Sequence, residues 1–390
     1  MVTRTAADQV LEQAVAAGDV PGVVALAADG RGVFYEGAFG RRTLGQDAPM
    51  TPDTVCWIAS MTKAITSVAA MQLVEQGKLD LDEPLGERLP ELASPRVLEG
   101  FDAQGAPRLR PAKRPITLRH LLSHTAGFCY DIWNADMVRY AQHAGLPGII
   151  ECKNASLSAP LVFDPGDRWE YGINIDWAGK AVEAASGQRL EAYLRANILG
   201  PLGMADSGFV LGPAQRERLA GMHVRNADGS LTAIPFEVPQ QPEFFMGGGG
   251  LYSTGRDYLT FLQMLLHEGS FNGARVLWPQ TVAEMAKNQI GDLSVGLLKT
   301  AVPASSNDAE FFPGMVKKWG LGYMITTEEA PTGRSAGSVA WAGLANTYYW
   351  LDPAKHLAGV ILTQILPFAD TAVLNLFEQF ERAIYAGHAA

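Results

Sequence analysis

The stretch Ile-Ala-Ser-Met-Thr-Lys at 58–63 decides how this chain reads. Ser60 and Lys63 are three residues apart, so on a helix they share one face. A serine hydroxyl is a weak nucleophile until a base removes its proton. A lysine can be that base only where its ammonium form is disfavoured. Among the lysines of the chain, only Lys63 has a serine three positions before it. The helical run continues to Gly77, and Met61, Ile65, Val68, Ala69, Met71, Leu73 and Val74 cover more than one of its faces. A helix apolar on several sides is a buried one, so the pair at its first turn is expected at the edge of the core.

Outward from this helix, Gly22–Gly30 and Gly32–Gly40 read as two strands joined by an Asp-Gly turn. Residues 1–15 read as an amphipathic helix rather than a signal peptide. Strand-like runs recur at 319–327, 337–342, 346–351 and 357–364, followed by a helix at 369–385. Between 79 and 244 the texture changes to short helical patterns (118–123, 175–186, 189–197) separated by Pro/Gly-rich loops, with no convincing strand series. The glycine run at 247–250 leads into a helix at 255–268, where Thr254 and Asp257 suit a capping box. The simplest assembly is α+β and discontinuous. Residues 1–78 and 245–390 form an antiparallel sheet flanked by helices, and residues 79–244 are inserted as a mainly helical lobe. Clefts favour such junctions.

Composition narrows the function. The chain of 390 residues is 47% hydrophobic and 18% charged, with a net charge of −10. That describes a large core and argues against a nucleic-acid partner. The densest basic cluster, RLRPAKR at 108–114, reads as a solvated loop. Three cysteines (Cys56, Cys129, Cys152) give neither metal-ligand spacing nor a disulfide framework. No uncharged apolar run is long enough to span a bilayer. A cytoplasmic protein with no metal, no cofactor and no membrane partner is the expectation, and a homo-oligomer stays open.

Tyr171, in FDPGDRWEYGIN at 163–174, is the candidate proton shuttle. Its phenol becomes a base at neutral pH only if a nearby cation, such as Lys63, lowers it. Either Lys63 is the neutral base, or Tyr171 is the base and Lys63 its cationic tuner. In this order and combination, Ser60-Met61-Thr62-Lys63, Tyr171, Trp341-Ala342-Gly343, LLSHTAGF at 121–128 and GGGGLYST at 247–254 resemble the class C β-lactamase-like superfamily. The resemblance covers roughly residues 5–385 and is greatest to the family VIII carboxylesterases. It implies a β-lactamase/transpeptidase-like fold, an acyl-enzyme on Ser60, and an oxyanion hole made by the backbone N–H groups of Ser60 and Leu344. It also implies that the residues near the motifs shape the acyl pocket: Tyr130 foremost, with Phe128, Trp133, Trp341, Gly343 and Tyr348. Two departures stand out. Trp341 replaces the lysine of the β-lactamase third motif, and Ile173 stands where the tyrosine motif carries asparagine, with Asn174 one place later. Both leave a more apolar slot, which suits short-chain carboxylic esters as small-molecule substrates and leaves β-lactam hydrolysis weak. An amidase, D-aminopeptidase or acyltransferase on the same scaffold is the alternative, and a silent penicillin-recognising module is the alternative of another class.

Three other signals are set aside. Gly-Arg-Ser-Ala-Gly at 333–337 fits a nucleophile elbow, but an elbow needs a following helix, and SVAWAG reads as a strand. His120 and His124 have zinc-like spacing without the glutamate of that motif, so a role in fixing the loop is expected. Asp80 and Asp82 read as turn caps after the nucleophile helix.

Overall fold

The computed structural model describes residues 5–388. Its centre is a seven-stranded sheet built from both ends of the chain: β1 (Gly22–Asp29), β2 (Gly32–Gly40), β3 (Lys317–Trp319), β4 (Met324–Thr326), β5 (Val339–Gly343), β6 (Thr347–Asp352) and β7 (Leu357–Leu362). The spatial order is β3-β4-β5-β6-β7-β1-β2, and every neighbouring pair is antiparallel. The N-terminal hairpin therefore joins the C-terminal strands through β1 and β7, with Leu26 opposite Val360.

β6 shows why its sequence, TYYWLD, lacks the usual apolar–polar alternation. Successive side chains point to opposite faces, and both faces are covered. Tyr348 and Trp350 pack on Phe377 and Phe380 of the terminal helix Thr371–His388. Tyr349 packs on Tyr258 of the helix Gly255–Leu266 on the other face. The helix Ala6–Ala16 packs against the terminal helix, and the first four residues of the expected N-terminal helix lie outside the described part. Flanking by the first and last helices is thus one layer of two.

The helix predicted from 59 to 77 runs from Thr62 to Glu75, after a 3-10 turn at Ala59–Met61. Gly77 follows at φ +65°, the left-handed position that ends helices. Every residue from Thr62 to Leu73 is buried.

The inserted segment contains the helices Leu118–Leu122 and Asn174–Ser186 near their expected positions, and also a helix at Ala135–Ala144. It is not strand-free. Arg96–Phe101 pairs with Pro107–Pro111, and Met222–Arg225 pairs with Leu231–Ile234. The second hairpin also takes Ile365–Leu366 as a parallel partner. These strands are short and prolines bound one of them, so no alternation builds up in the sequence. The basic cluster at 108–114 is likewise not a free loop. Arg110 holds Asp164 through two hydrogen bonds of 2.9 and 2.8 Å, and Arg114 pairs with Asp167. Together they pin the Asp-Pro-Gly turn that delivers Tyr171, and the Arg110 guanidinium keeps the Asp164 carboxyl well below the usual range. At 254–257 only half of the capping box forms. Thr254 caps the helix, while the Asp257 carboxylate accepts instead from Asp206 N and Ser207 Oγ.

Candidate active site

Ser60 sits in the 3-10 turn, directly after a residue in a strained backbone conformation. Ala59 has φ +45°, which costs a non-glycine residue of order 1–3 kcal/mol and persists only where the surroundings enforce it. One turn on, Lys63 is fully buried. Its Nζ lies 3.1 Å from Ser60 Oγ and 2.9 Å from the Tyr130 hydroxyl, and it donates to the Gly248 carbonyl at 2.6 Å. All three partners are uncharged. Burial therefore lowers the Lys63 ammonium well below the ordinary lysine range, and the charge of Asp176 offsets this only in part.

Tyr171 is brought to the same place by the Asp-Pro-Gly turn at 164–166 and the segment that follows it. Its ring lies 4.6 Å below Lys63 Nζ, and its hydroxyl accepts from Trp341 Nε1 at 2.9 Å. Burial pushes the Tyr171 phenol up, while hydrogen bonds with Ser60 and Trp341 pull the other way. Trp341 thus gives the tyrosine a neutral N–H donor where a lysine would give a charge. Tyr130, a pocket candidate from sequence, is also a direct partner of the lysine, and burial keeps its phenol protonated.

The end of β5 reaches the nucleophile because of Gly343. A Cβ there would overlap the Ile58 carbonyl, two residues before Ser60. Leu344 follows in the turn between β5 and β6, and both Leu344 and Ser60 line one cavity of about 200 Å³. Tyr130 and Trp133 line it as well. The rest of its wall is largely apolar, including Trp57, Ile132, Ile149, Ile150 and Met246.

Two aromatic candidates are corrected. Phe128 stacks on Trp177, at 6.2 Å, and faces a separate cavity. Tyr348 lies behind the sheet, stacked on Phe377 at 4.8 Å, with its hydroxyl donating to Asn346. Strand parity decides this, since Tyr348 points to the terminal-helix face. Trp341 and Gly343 are also outside the cavity lining: one holds Tyr171 and the other permits the close approach.

His124 Nδ1 lies 2.9 Å from Asn174 Nδ2 and also accepts from Gly172 N, so it fixes the tyrosine loop. This is where the displaced asparagine goes. His120 engages Thr117, and among the described residues no cluster of His, Cys, Asp and Glu could hold a metal. Asp80 caps its turn through Asp82 N and Glu83 N, and Asp82 pairs with Arg119. Ser335 lies in the loop between β4 and β5, with its N–H on Asp352 and a strand following it. Among the described residues no helix is long and apolar enough to cross a membrane.

Sequence reasoning missed Asp176 and the Gly248 carbonyl. Asp176, in the first turn of Asn174–Ser186, is completely buried, and its Oδ1 accepts from Gly248 N at 2.9 Å. An acidic residue there reads as an ordinary helix-start residue, and a backbone carbonyl has no signature of its own.

A half-buried serine in a 3-10 turn, a fully buried lysine on the first turn of the core helix that follows, a tyrosine from the segment between the two halves of the sheet and the β5–β6 turn opposite define a serine acyl-transfer fold. The chain belongs to the beta-lactamase family, whose model matches residues 7–382. Monacolin J acid methylbutanoyltransferase of Aspergillus terreus is 36% identical over 392 residues, covering 96% of this chain and 94% of that protein. Lovastatin esterase of Penicillium rubens is 32% identical over 404 residues, covering 98% of each. Among solved structures, the LovD6 mutant of simvastatin synthase from Aspergillus terreus superposes with a TM-score of 0.86 at 34% identity, covering 98% of this chain and 96% of that one.

Proposed function

We propose that this protein is a serine carboxylesterase that cleaves short-chain carboxylic esters through an acyl-enzyme on Ser60. One observation carries the reading: the Lys63 amine is buried among neutral partners, 3.1 Å from the Ser60 hydroxyl. Neutral Lys63 takes the Ser60 proton as Oγ attacks the ester carbonyl. The oxyanion is received by the backbone N–H groups of Ser60 and Leu344, a pair in which each donor is typically worth about 3–4 kcal/mol. The Tyr171 phenol, kept protonated by burial, hands a proton to the departing alkoxide and is reprotonated from Lys63. Deacylation by water runs the same transfers in reverse. Of the two sequence-based roles, this geometry favours lysine as base and tyrosine as proton carrier. The base must be neutral, so kcat/KM rises with pH through the lowered Lys63 titration and falls off on its acid side.

A second reading is supported by the full-length relative named a methylbutanoyltransferase and by the apolar cleft: an alcohol, rather than water, accepts the acyl group. The test is a p-nitrophenyl ester with and without added alcohol, followed by intact mass. A p-nitrophenol burst with acyl mass on Ser60 is expected, absent in Ser60→Ala and retained in Ser335→Ala. Product partition into the new ester reports transfer. Acyl mass on any residue other than Ser60 overturns both readings.

A further inference from the structure

The inference rests on the reading of Lys63 as base and concerns how its proton is held once taken. Three glycines bring the 247–249 turn against the catalytic helix. The Gly247 carbonyl accepts from Thr66 Oγ1 at 2.8 Å, while Gly248 N donates to Asp176 and the Gly248 carbonyl accepts from Lys63. A Cβ at Gly248 would come within 2.5 Å of the Asp176 carboxyl, so only glycine fits between the carboxylate and the lysine. Asp176 Oδ2 has no hydrogen-bond partner although it is fully buried. An unpaired buried carboxylate oxygen is costly and calls for a reason. Among the described residues Lys63 makes no ion pair, yet the charge of Asp176 acts on it across the Gly248 unit.

We propose that Asp176 is a positioning residue that aims the Gly248 carbonyl at Lys63 and supplies the negative charge that steadies the ammonium formed when Ser60 gives up its proton. A carboxylate in direct contact would fix the ammonium permanently and abolish the base. One peptide unit away, it acts on the transient cation while burial still favours the neutral amine. The other titratable groups around the pair are His124, Tyr130, Cys152 and Tyr171. Burial holds the imidazole, the thiol and both phenols uncharged. Asp131 lines the cavity wall and its charge bears on Tyr130, while Asp176 is the charge that bears on Lys63. Burial raises the Asp176 carboxyl to about 6, and the Lys63 charge partly offsets this.

Three variants test this on the full chain with a p-nitrophenyl ester. Asp176→Asn keeps an acceptor for Gly248 N but removes the charge. It is expected to lower kcat about tenfold and move the acid limb of kcat/KM down by about one pH unit, with no loss of thermal stability. Asp176→Glu keeps the charge and shifts its position: kcat falls while the limb stays nearer the wild-type position than in Asp176→Asn. Lys63→Ala, run beside them, is expected to be inactive. An unchanged limb and kcat in Asp176→Asn overturns the inference, as does a Glu variant whose limb shifts as far as that of Asn. If Asp176→Asn does not fold, the Glu variant is judged against wild type: a limb within about half a pH unit of wild type with lowered kcat supports the inference, and a limb lowered by about a full unit, or an unchanged kcat, overturns it. If instead Lys63→Ala retains activity, the base assignment fails, independently of Asp176.

Discussion

Two segments of this molecule each carry a serine beside a basic residue that ends fully buried, and they do opposite things. At 58–63 the cation is Lys63, surrounded by a serine hydroxyl, a tyrosine hydroxyl and a carbonyl. At 333–337 the cation is Arg334, whose Nε and Nη2 donate to the two oxygens of Glu381 at 2.7 and 2.6 Å. Arg334 has its counter-charge in contact and cannot lose its proton at any ordinary pH. Lys63 has only neutral contacts and can. The Gly-x-Ser-x-Gly stretch is therefore a clamp between a sheet loop and the terminal helix, and the Ser-x-x-Lys stretch is where we propose that a proton moves.

The sharpest way to break this contrast is to exchange the consequences of mutation. Ser60→Ala is expected to reduce kcat on p-nitrophenyl acetate by about 10⁴–10⁶-fold, whereas Ser335→Ala leaves steady-state hydrolysis unchanged. Comparable losses in both would erase the distinction. Next in size, Lys63→Arg keeps a cation but no accessible neutral base, and Tyr171→Phe removes the proton carrier. Each should cost about 10²–10⁴-fold in kcat, read from single-turnover burst rates. Gly343→Ala forces a Cβ onto the Ile58 carbonyl and pushes the β5–β6 turn away from Ser60. A loss of about 10²–10³-fold in kcat is expected, with KM changing less. On the clamp side, Glu381→Ala strands a buried guanidinium and should cost about 3–5 kcal/mol in urea-unfolding stability. Its kcat/KM, measured well below the melting transition, should match wild type. Smallest of all, cephalosporins should be turned over far less efficiently than short p-nitrophenyl esters, since Trp341 offers a substrate carboxylate no cation.

The contrast also marks how far the chain could be read in advance. Ser60, Lys63 and Tyr171 stand out because chemistry needs particular atoms at particular separations, and the structure brings them within contact. The sheet was legible from its β-rich ends, and the nucleophile helix from apolar positions on several faces. What escaped has physical reasons. Asp176 acts across a peptide unit contributed by a distant glycine turn, so no local pattern points to it. The hairpins at 96–111 and 222–234 are too short to show a period. The basic run at 108–114 looked solvated because its partners, Asp164 and Asp167, lie some fifty residues further on. Phe128 and Tyr348 were misplaced because proximity in sequence to a motif says nothing about which face of a strand or loop a ring takes.

The direct test is to watch the amine itself. In protein labelled with ¹³Cε-lysine, the Lys63 resonance, assigned by its disappearance in Lys63→Arg, should titrate well below the value of about 10.4 shown by exposed lysines. A Lys63 signal that titrates with the surface lysines would contradict the account.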